Sequence, residues 1–339
     1  MTQISAAILG CAGLVLTAEE QALFRDRRPW GFILFKRNID TPGQVRALVD
    51  SLRACVERPD APILIDQEGG RVQRLGPPHW RRYPPGAAYG ALPADLQQGL
   101  TRLGARLIAH DLAALGINAD CVPVLDVPSP DGHEIIGDRA YGDTPQQVAR
   151  LGRAAAEGLI AGGVLPVIKH IPGHGRARAD SHLSLPVVEA SLAELTARDF
   201  APFRALSDMP LAMTAHVVYA AIDPDQPATT SAKAIDAVIR GAIGFDGLLM
   251  SDDLSMKALS GDFTDRARAS LAAGCDVVLH CNGDMTEMLA VLAGTGALAG
   301  RAEARAAAAL ARLPRAIEPL DVEAAHARFD AVMGGGGAG

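Results

Sequence analysis

Lysine is scarce in this chain: the 32 basic residues include only Lys36, Lys169, Lys233 and Lys257. The 39 acidic residues outnumber them, leaving a net charge of −7 and a pI near 5.7. A chain without a basic surplus lacks the electrostatic footprint for nucleic acid or an anionic membrane surface. Cysteine is equally thin, with Cys11, Cys55, Cys121, Cys275 and Cys281 scattered and without metal-type spacing. An odd, dispersed set argues against a disulfide framework or a thiolate zinc site, and reads as buried thiols in a reducing compartment. No stretch reaches the roughly 18 apolar residues that a membrane span needs. The run 4–16 comes nearest to a leader, but it has no basic start and flows into a helical pattern. A first strand is expected there, and a cytoplasmic protein overall. There is no Walker loop, no Gly-X-Gly-X-X-Gly after the first strand and no His-X-His anywhere. These gaps argue against nucleotide binding, and against the metal-dependent barrel hydrolases that usually carry His-X-His at their first strand.

What remains is a 339-residue chain that is 49% apolar but only 4% aromatic, enough for a sizeable core. Short apolar runs recur at 6–9, 31–35, 62–65, 117–124, 164–168, 211–214, 248–250 and 277–279. Between most of them lie helix signals. Thr17 with Glu20, Thr41-Pro42 with Gln44, and Ser191 with Glu194 resemble capping boxes, and Thr144-Pro145 puts proline at a first helical position. Expected helix stops are Gly104 or Gly116, Gly162-Gly163 and Gly274, with a terminal helix over 302–313. Near-continuous apolar strands alternating with helices imply a parallel sheet covered on both faces. Eight such units predict an α/β fold, a single (β/α)8 TIM-type barrel over 1–333 with a short C-terminal helical extension. An open doubly wound sheet is the alternative. The Gly-rich tail 334–339 is expected to be disordered.

A barrel of this kind keeps its active site at the carboxyl ends of its strands. Those ends supply Asp66, Asp126, Lys169 with His170, His216, Asp252 with Asp253, and Asn282. The densest stretch is Lys169-His170-Ile171-Pro172-Gly173-His174-Gly175, followed by Asp180-Ser181-His182. Loops on rigid scaffolds are where chemistry concentrates, and this one holds titratable groups among glycines. Asp180 can orient the His182 imidazole and fix its tautomer, which describes an oriented general acid/base; the bland alternative is a solvated surface pair. Asp252 can be a nucleophile, a metal ligand or a general base, or simply a helix N-cap, with Asp253 free to take the structural role. The run 66–74 brings Asp66, Glu68, Arg71 and Arg74 to a rim with glycines that permit close backbone approach, which suits a polyhydroxylated ligand. Arg139 invites the same reading. His170, His174 and His216 are the remaining candidates for an unusual metal site.

Taken together, 66–74, 169–175 with Asp180-Ser181-His182, and 251–254 resemble glycoside hydrolase family three over nearly the whole chain. The histidine loop with its Asp-Ser-His resembles the N-acetylglucosaminidase branch in particular. The resemblance implies Asp252 as nucleophile, His182 as acid/base and Asp180 as its orienting partner, with Asp66, Arg74, Arg139, Lys169 and His170 binding the sugar. It also implies retaining removal of terminal β-linked N-acetylglucosamine from cell-wall muropeptides, by a monomer acting on a small-molecule substrate without metal or other cofactor. Phosphorolysis is the near alternative, and a metal-dependent amidohydrolase the distant one. Ile171 and Asp138 depart from the family pattern, where phenylalanine and glutamate are more frequent.

Overall fold

The computed structural model describes residues 3–177, 181 and 185–334. Asp180 and His182 lie outside the described residues, as does the glycine-rich tail after Gly334. Eight strands form a closed barrel: β1 (Ser5–Leu9), β2 (Pro29–Leu34), β3 (Ile63–Ile65), β4 (Ala119–Asp120), β5 (Leu165–Ile171), β6 (Leu211–Thr214), β7 (Leu248–Asp253) and β8 (Val277–His280). Each pairs in parallel with its sequence neighbour, and β8 closes on β1. The expected TIM-type barrel is therefore present, with a strand in each of the eight apolar runs.

Three strands differ from expectation at their ends. β4 is confined to Ala119–Asp120, because the Val122 amide turns back to the Asp120 carbonyl and Pro123 has no N–H to extend the ladder. β5 runs on to Ile171, so Lys169 and His170 sit on a strand rather than in a loop. β7 likewise carries Asp252 and Asp253 on its last turn of pleat.

Alternation decides what each strand shows to the barrel interior. Leu165, Val167, Leu211, Met213, Leu248, Met250, Val277, Leu279 and Leu64 pack in one internal cluster, while Ile168, Ala212 and Leu249 pack outward under helices. Side chains alternate faces along a strand, so the inward series 165–167, 248–250 and 64 continue to Lys169, Asp252 and Asp66. The same periodicity that fills the barrel with aliphatics places charge at its mouth.

The helices start where the caps say. α1 (Ala18–Arg27) has a complete Thr17–Glu20 capping box; α2 (Pro42–Val56) and α4 (Pro145–Ala161) begin at Thr41 and Thr144 with proline in the first turn. α3 (Ala94–Ala113) runs through Gly104 and ends before Gly116, which has φ +78°. Gly104 is thus a packing glycine and not a helix stop: a Cβ there would meet the Tyr89 hydroxyl and the Phe329 ring. Phe329 belongs to a last helix that the sequence reading did not mark. After α5 (Phe263–Ala273), α6 (Met285–Gly294) and α7 (Gly300–Leu310), α8 (Val322–Met333) sets Phe329 edge-on to Tyr83, with ring centroids 6.3 Å apart.

Candidate active site

A cavity of about 180 Å³ opens at the carboxyl ends of the strands. Asp66, Arg74, Arg139, Lys169, His170 and Asp252 all line it, with Glu68, His174 and Ser181 beside them. Six of the eight residues to which the family resemblance gives a role are therefore gathered in one place; the other two, Asp180 and His182, are not described.

The hairpin after β3 builds one wall. Gln67–Gly69 pairs antiparallel with Val72–Gln73, and Gly69 and Gly70 turn the chain at φ +94° and +57°. A Cβ at Gly69 would strike the Pro84 carbonyl, so glycine is required there. The buried Gln67 side chain accepts from the Arg74 and Leu75 amides, both at 3.0 Å, which fixes the returning strand. Behind the hairpin, Asp120 accepts from the Gln67 amide at 2.9 Å, and its second oxygen has no partner among the described residues. Burial outweighs that amide and the nearby Lys169, and pushes the Asp120 carboxyl up to about 8, so it keeps its proton at neutral pH.

The hairpin carries Asp66 and Glu68, and between them stands Lys169. Its Nζ lies 2.9 Å from Asp66 and 2.7 Å from Glu68. Arg74 reaches the other Asp66 oxygen at 2.9 Å, while Arg139 grips Glu68 through Nε and Nη2, both at 2.8 Å. Arg74 also stacks on Phe35, 5.2 Å from the ring centroid. Burial opposes charge on Asp66, but Lys169 and Arg74 overcome it and hold the carboxyl well below its usual range. For Glu68, Arg139 and Lys169 likewise overcome burial and bring it down to about 2. Lys169 is itself raised, since the two carboxylates outweigh its desolvation. The result is a fully ionised, rigid array of donors and acceptors, as a sugar with several hydroxyls requires.

His170 points its Nδ1 at Asp126, 2.7 Å away, which leaves Nε2 for the cavity. The Lys169–His170 and Ile171–Pro172 peptides are both cis. On the opposite side, the two aspartates at the end of β7 divide their work. Asp253 accepts from the Ser255 and Cys281 amides at 3.1 and 3.0 Å and from the Ser255 hydroxyl, which ties β7 to β8. Among the described residues the Asp252 carboxylate accepts only the Asp253 amide, at 2.8 Å. Burial opposes its charge, but His216, His170 and that amide outweigh it, so Asp252 is ionised at neutral pH.

Other strand-end residues do not converge. His216 is spent on structure, Nδ1 against the Thr229 hydroxyl at 2.7 Å and Nε2 donating to the Asp253 carbonyl at 3.0 Å. Asn282 donates to Glu287 away from the cavity. No cluster of three or more potential metal ligands occurs among the described residues. Sequence reasoning put Glu68 on the rim with Asp66 but missed its pairing with Arg139 and Lys169. It also missed Asp126 as the buried bracket behind His170 and His174.

A barrel, a cavity at its mouth, an ionised clamp and the ionised Asp252 facing it describe an enzyme built to act on a polyhydroxylated substrate. The chain belongs to glycosyl hydrolase family 3: the model of that family's N-terminal domain matches residues 5–316. It is 42% identical over 282 residues to a β-hexosaminidase of Alkalilimnicola ehrlichii, covering 81% of this chain and 80% of the relative. A β-hexosaminidase of Pseudomonas aeruginosa is 39% identical over 289 residues, covering 84% and 85%. The crystal structure of NagZ from Neisseria gonorrhoeae in complex with N-trifluoroacetyl-D-glucosamine superposes with a TM-score of 0.87 at 32% identity, over 98% of both chains.

Proposed function

We propose that this glycoside hydrolase is a retaining exo-β-N-acetylglucosaminidase, with Asp252 as nucleophile and His182, oriented by Asp180, as acid/base. The observation that carries the reading is the pairing, in one cavity, of an ionised Asp252, whose second oxygen has no partner among the described residues, with the clamp of Asp66, Lys169, Glu68, Arg74 and Arg139. The clamp and the His170 Nε2 engage sugar hydroxyls, which seats the anomeric carbon against Asp252. In the first step the second Asp252 oxygen bonds C1 as the glycosidic C1–O bond breaks, and His182 gives its proton to the departing oxygen. In the second step His182 takes a proton from water, the water oxygen bonds C1 and the Asp252 carboxylate leaves. Two inversions give net retention.

The substrate class follows from the relatives, which are β-hexosaminidases, and from the glucosamine derivative in the Neisseria structure. A histidine in place of a second carboxylate repels an anionic aglycone less, which suits muropeptides and a place in cytoplasmic cell-wall turnover, with the enzyme acting as a monomer. Neither Glu68 nor His216 competes for the acid role. Glu68 stays ionised under two cations, and both ring nitrogens of His216 are engaged. The test is to trap the enzyme with a fluorinated N-acetylglucosaminyl donor and map the ester by peptide mass spectrometry. Label on Asp252 is expected; label on Asp253, or none despite turnover, overturns the assignment.

A further inference from the structure

Asp120, the last residue of β4, is fully buried and fixed on both sides, opposite Ile65 of β3 and Pro166 of β5. Its Oδ1 accepts from the Gln67 amide at 2.9 Å. Gln67 stands between the clamp carboxylates Asp66 and Glu68 and is itself fully buried. Its side chain accepts from the Arg74 and Leu75 amides and donates to the Leu75 carbonyl, all at 3.0 Å. One chain of hydrogen bonds therefore leads from β4 through Gln67 to the backbone that carries Asp66, Glu68 and Arg74. The second Asp120 oxygen has no partner among the described residues, and Asp120 and Glu68 both border an internal cavity of about 10 Å³. That is room for about one water and none for a hydrated counter-ion.

We propose that Asp120 is a positioning residue for the sugar clamp: its hold on the Gln67 amide sets the spacing of Asp66, Glu68 and Arg74, so sugar affinity depends on a carboxyl that lies behind the hairpin. The proposal rests on the reading of the clamp as the sugar site. Asp120 does this work as a neutral acid. Lys169, Asp66 and Glu68 are the charged groups that act on it, and Lys169 is already shared by the other two. A third carboxylate there would compete for Lys169 and repel Asp66 and Glu68, with no screening ion within reach. Tyr89, Tyr141 and Cys121, the other titratable groups around it, are pushed up by burial and stay neutral. Burial raises Asp120 to about 8, so its ionisation falls just above neutrality. The clamp does not titrate in that range itself, because Asp66 and Glu68 are held down and Lys169 and Arg139 are held up.

The experiment measures kcat and KM on a nitrophenyl N-acetyl-β-glucosaminide, and the inhibition constant Ki of N-acetylglucosamine, from pH 7 to about pH 9. It uses the full-length parent, Asp120→Asn, Asp120→Ala and Arg74→Ala. At pH 7 Asp120→Ala leaves the Gln67 amide without its acceptor. It should raise KM and Ki about tenfold, the factor that one lost hydrogen bond gives, with a smaller change in kcat. Asp120→Asn keeps an acceptor for that amide and a donor on the other atom, and should restore the parental Ki. In the parent Ki should climb by up to about tenfold over this range, as one group titrating near 8 allows, whereas in Asp120→Asn it should stay flat. Full activity on return to pH 7 keeps unfolding out of the comparison. The parent and Asp120→Asn profiles carry the test even where Asp120→Ala does not fold. An unchanged Ki in Asp120→Ala, a parental Ki flat with pH, or the same alkaline rise in Asp120→Asn overturns the positioning role alone, provided Arg74→Ala still weakens binding. An Arg74→Ala variant that binds N-acetylglucosamine as the parent does overturns the clamp reading and this inference with it.

Discussion

Lys169→Met removes the charge at the centre of the clamp while nearly preserving side-chain volume. In the parent, Nζ sits 2.9 Å from Asp66 and 2.7 Å from Glu68, and the residue is 2% exposed. Breaking a buried ion pair from one side costs about 3–5 kcal/mol, and the lower end applies because Arg74 and Arg139 stay to partner the two carboxylates. A 339-residue chain unfolds with an entropy of roughly 0.7 kcal/mol/K, so a loss of about 3 kcal/mol lowers Tm by about 4 °C. The pH dependence has a definite sign. Asp66 and Glu68 are both depressed in the folded state, Glu68 to about 2 from 4.5. Their stabilisation is complete above the unfolded values and fades as pH falls through that window. The gap in Tm between parent and Lys169→Met should therefore be full at pH 7 and contract between pH 4.5 and 2. Differential scanning fluorimetry over this range measures it. A gap that stays constant with pH would mean that the loss comes from packing, and one under a degree at pH 7 would mean that the lysine is not ion-paired.

Asp252→Asn should fold normally, accept no covalent label and lose several orders of magnitude in turnover, as nucleophile removal does elsewhere; single-turnover assays and mass spectrometry read both effects. His182→Ala should slow the first chemical step steeply on disaccharides and mildly on nitrophenyl sugars, and Asp180→Ala should follow with smaller amplitude, as measured before the steady state. Gly104→Ala should destabilise by about 1–3 kcal/mol through overpacking against Tyr89 and Phe329, with kcat/KM unchanged, as urea melts and assays will show. N-Acetylglucosamine itself should be the product with phosphate present; the 1-phosphate as main product would replace hydrolysis by phosphorolysis.

The barrel was legible because its strands are aliphatic runs of the right length, each followed by polar or small residues. Lys169, Asp66 and Asp252 were legible for the same reason: they continue an inward-facing series that the apolar residues begin. What the sequence hid depends on distant partners. Glu68 looks like any acidic turn residue until Arg139, 71 positions away, grips it. Ser181 looks like a spacer between two candidate catalytic residues until His174 and Ala258 hold it. α8 escaped because its alanine-rich pattern marks no strong apolar face, although Phe329 packs it on Tyr83 and Tyr89.

The clamp joins residues that the chain keeps far apart. Lys169 lies 103 positions from Asp66, and Arg139 lies 71 from Glu68, contacts made only once β3, β4 and β5 stand side by side. Pairings of such long sequence separation demand a large loop-closure entropy, so they should form late on the folding route. A partly folded chain has no half-affinity site, because each charged group then faces water or an unmatched neighbour. Capture of a sugar analogue during refolding therefore reports that β3, β4 and β5 have assembled, and a saturating ligand should slow unfolding by holding those contacts shut.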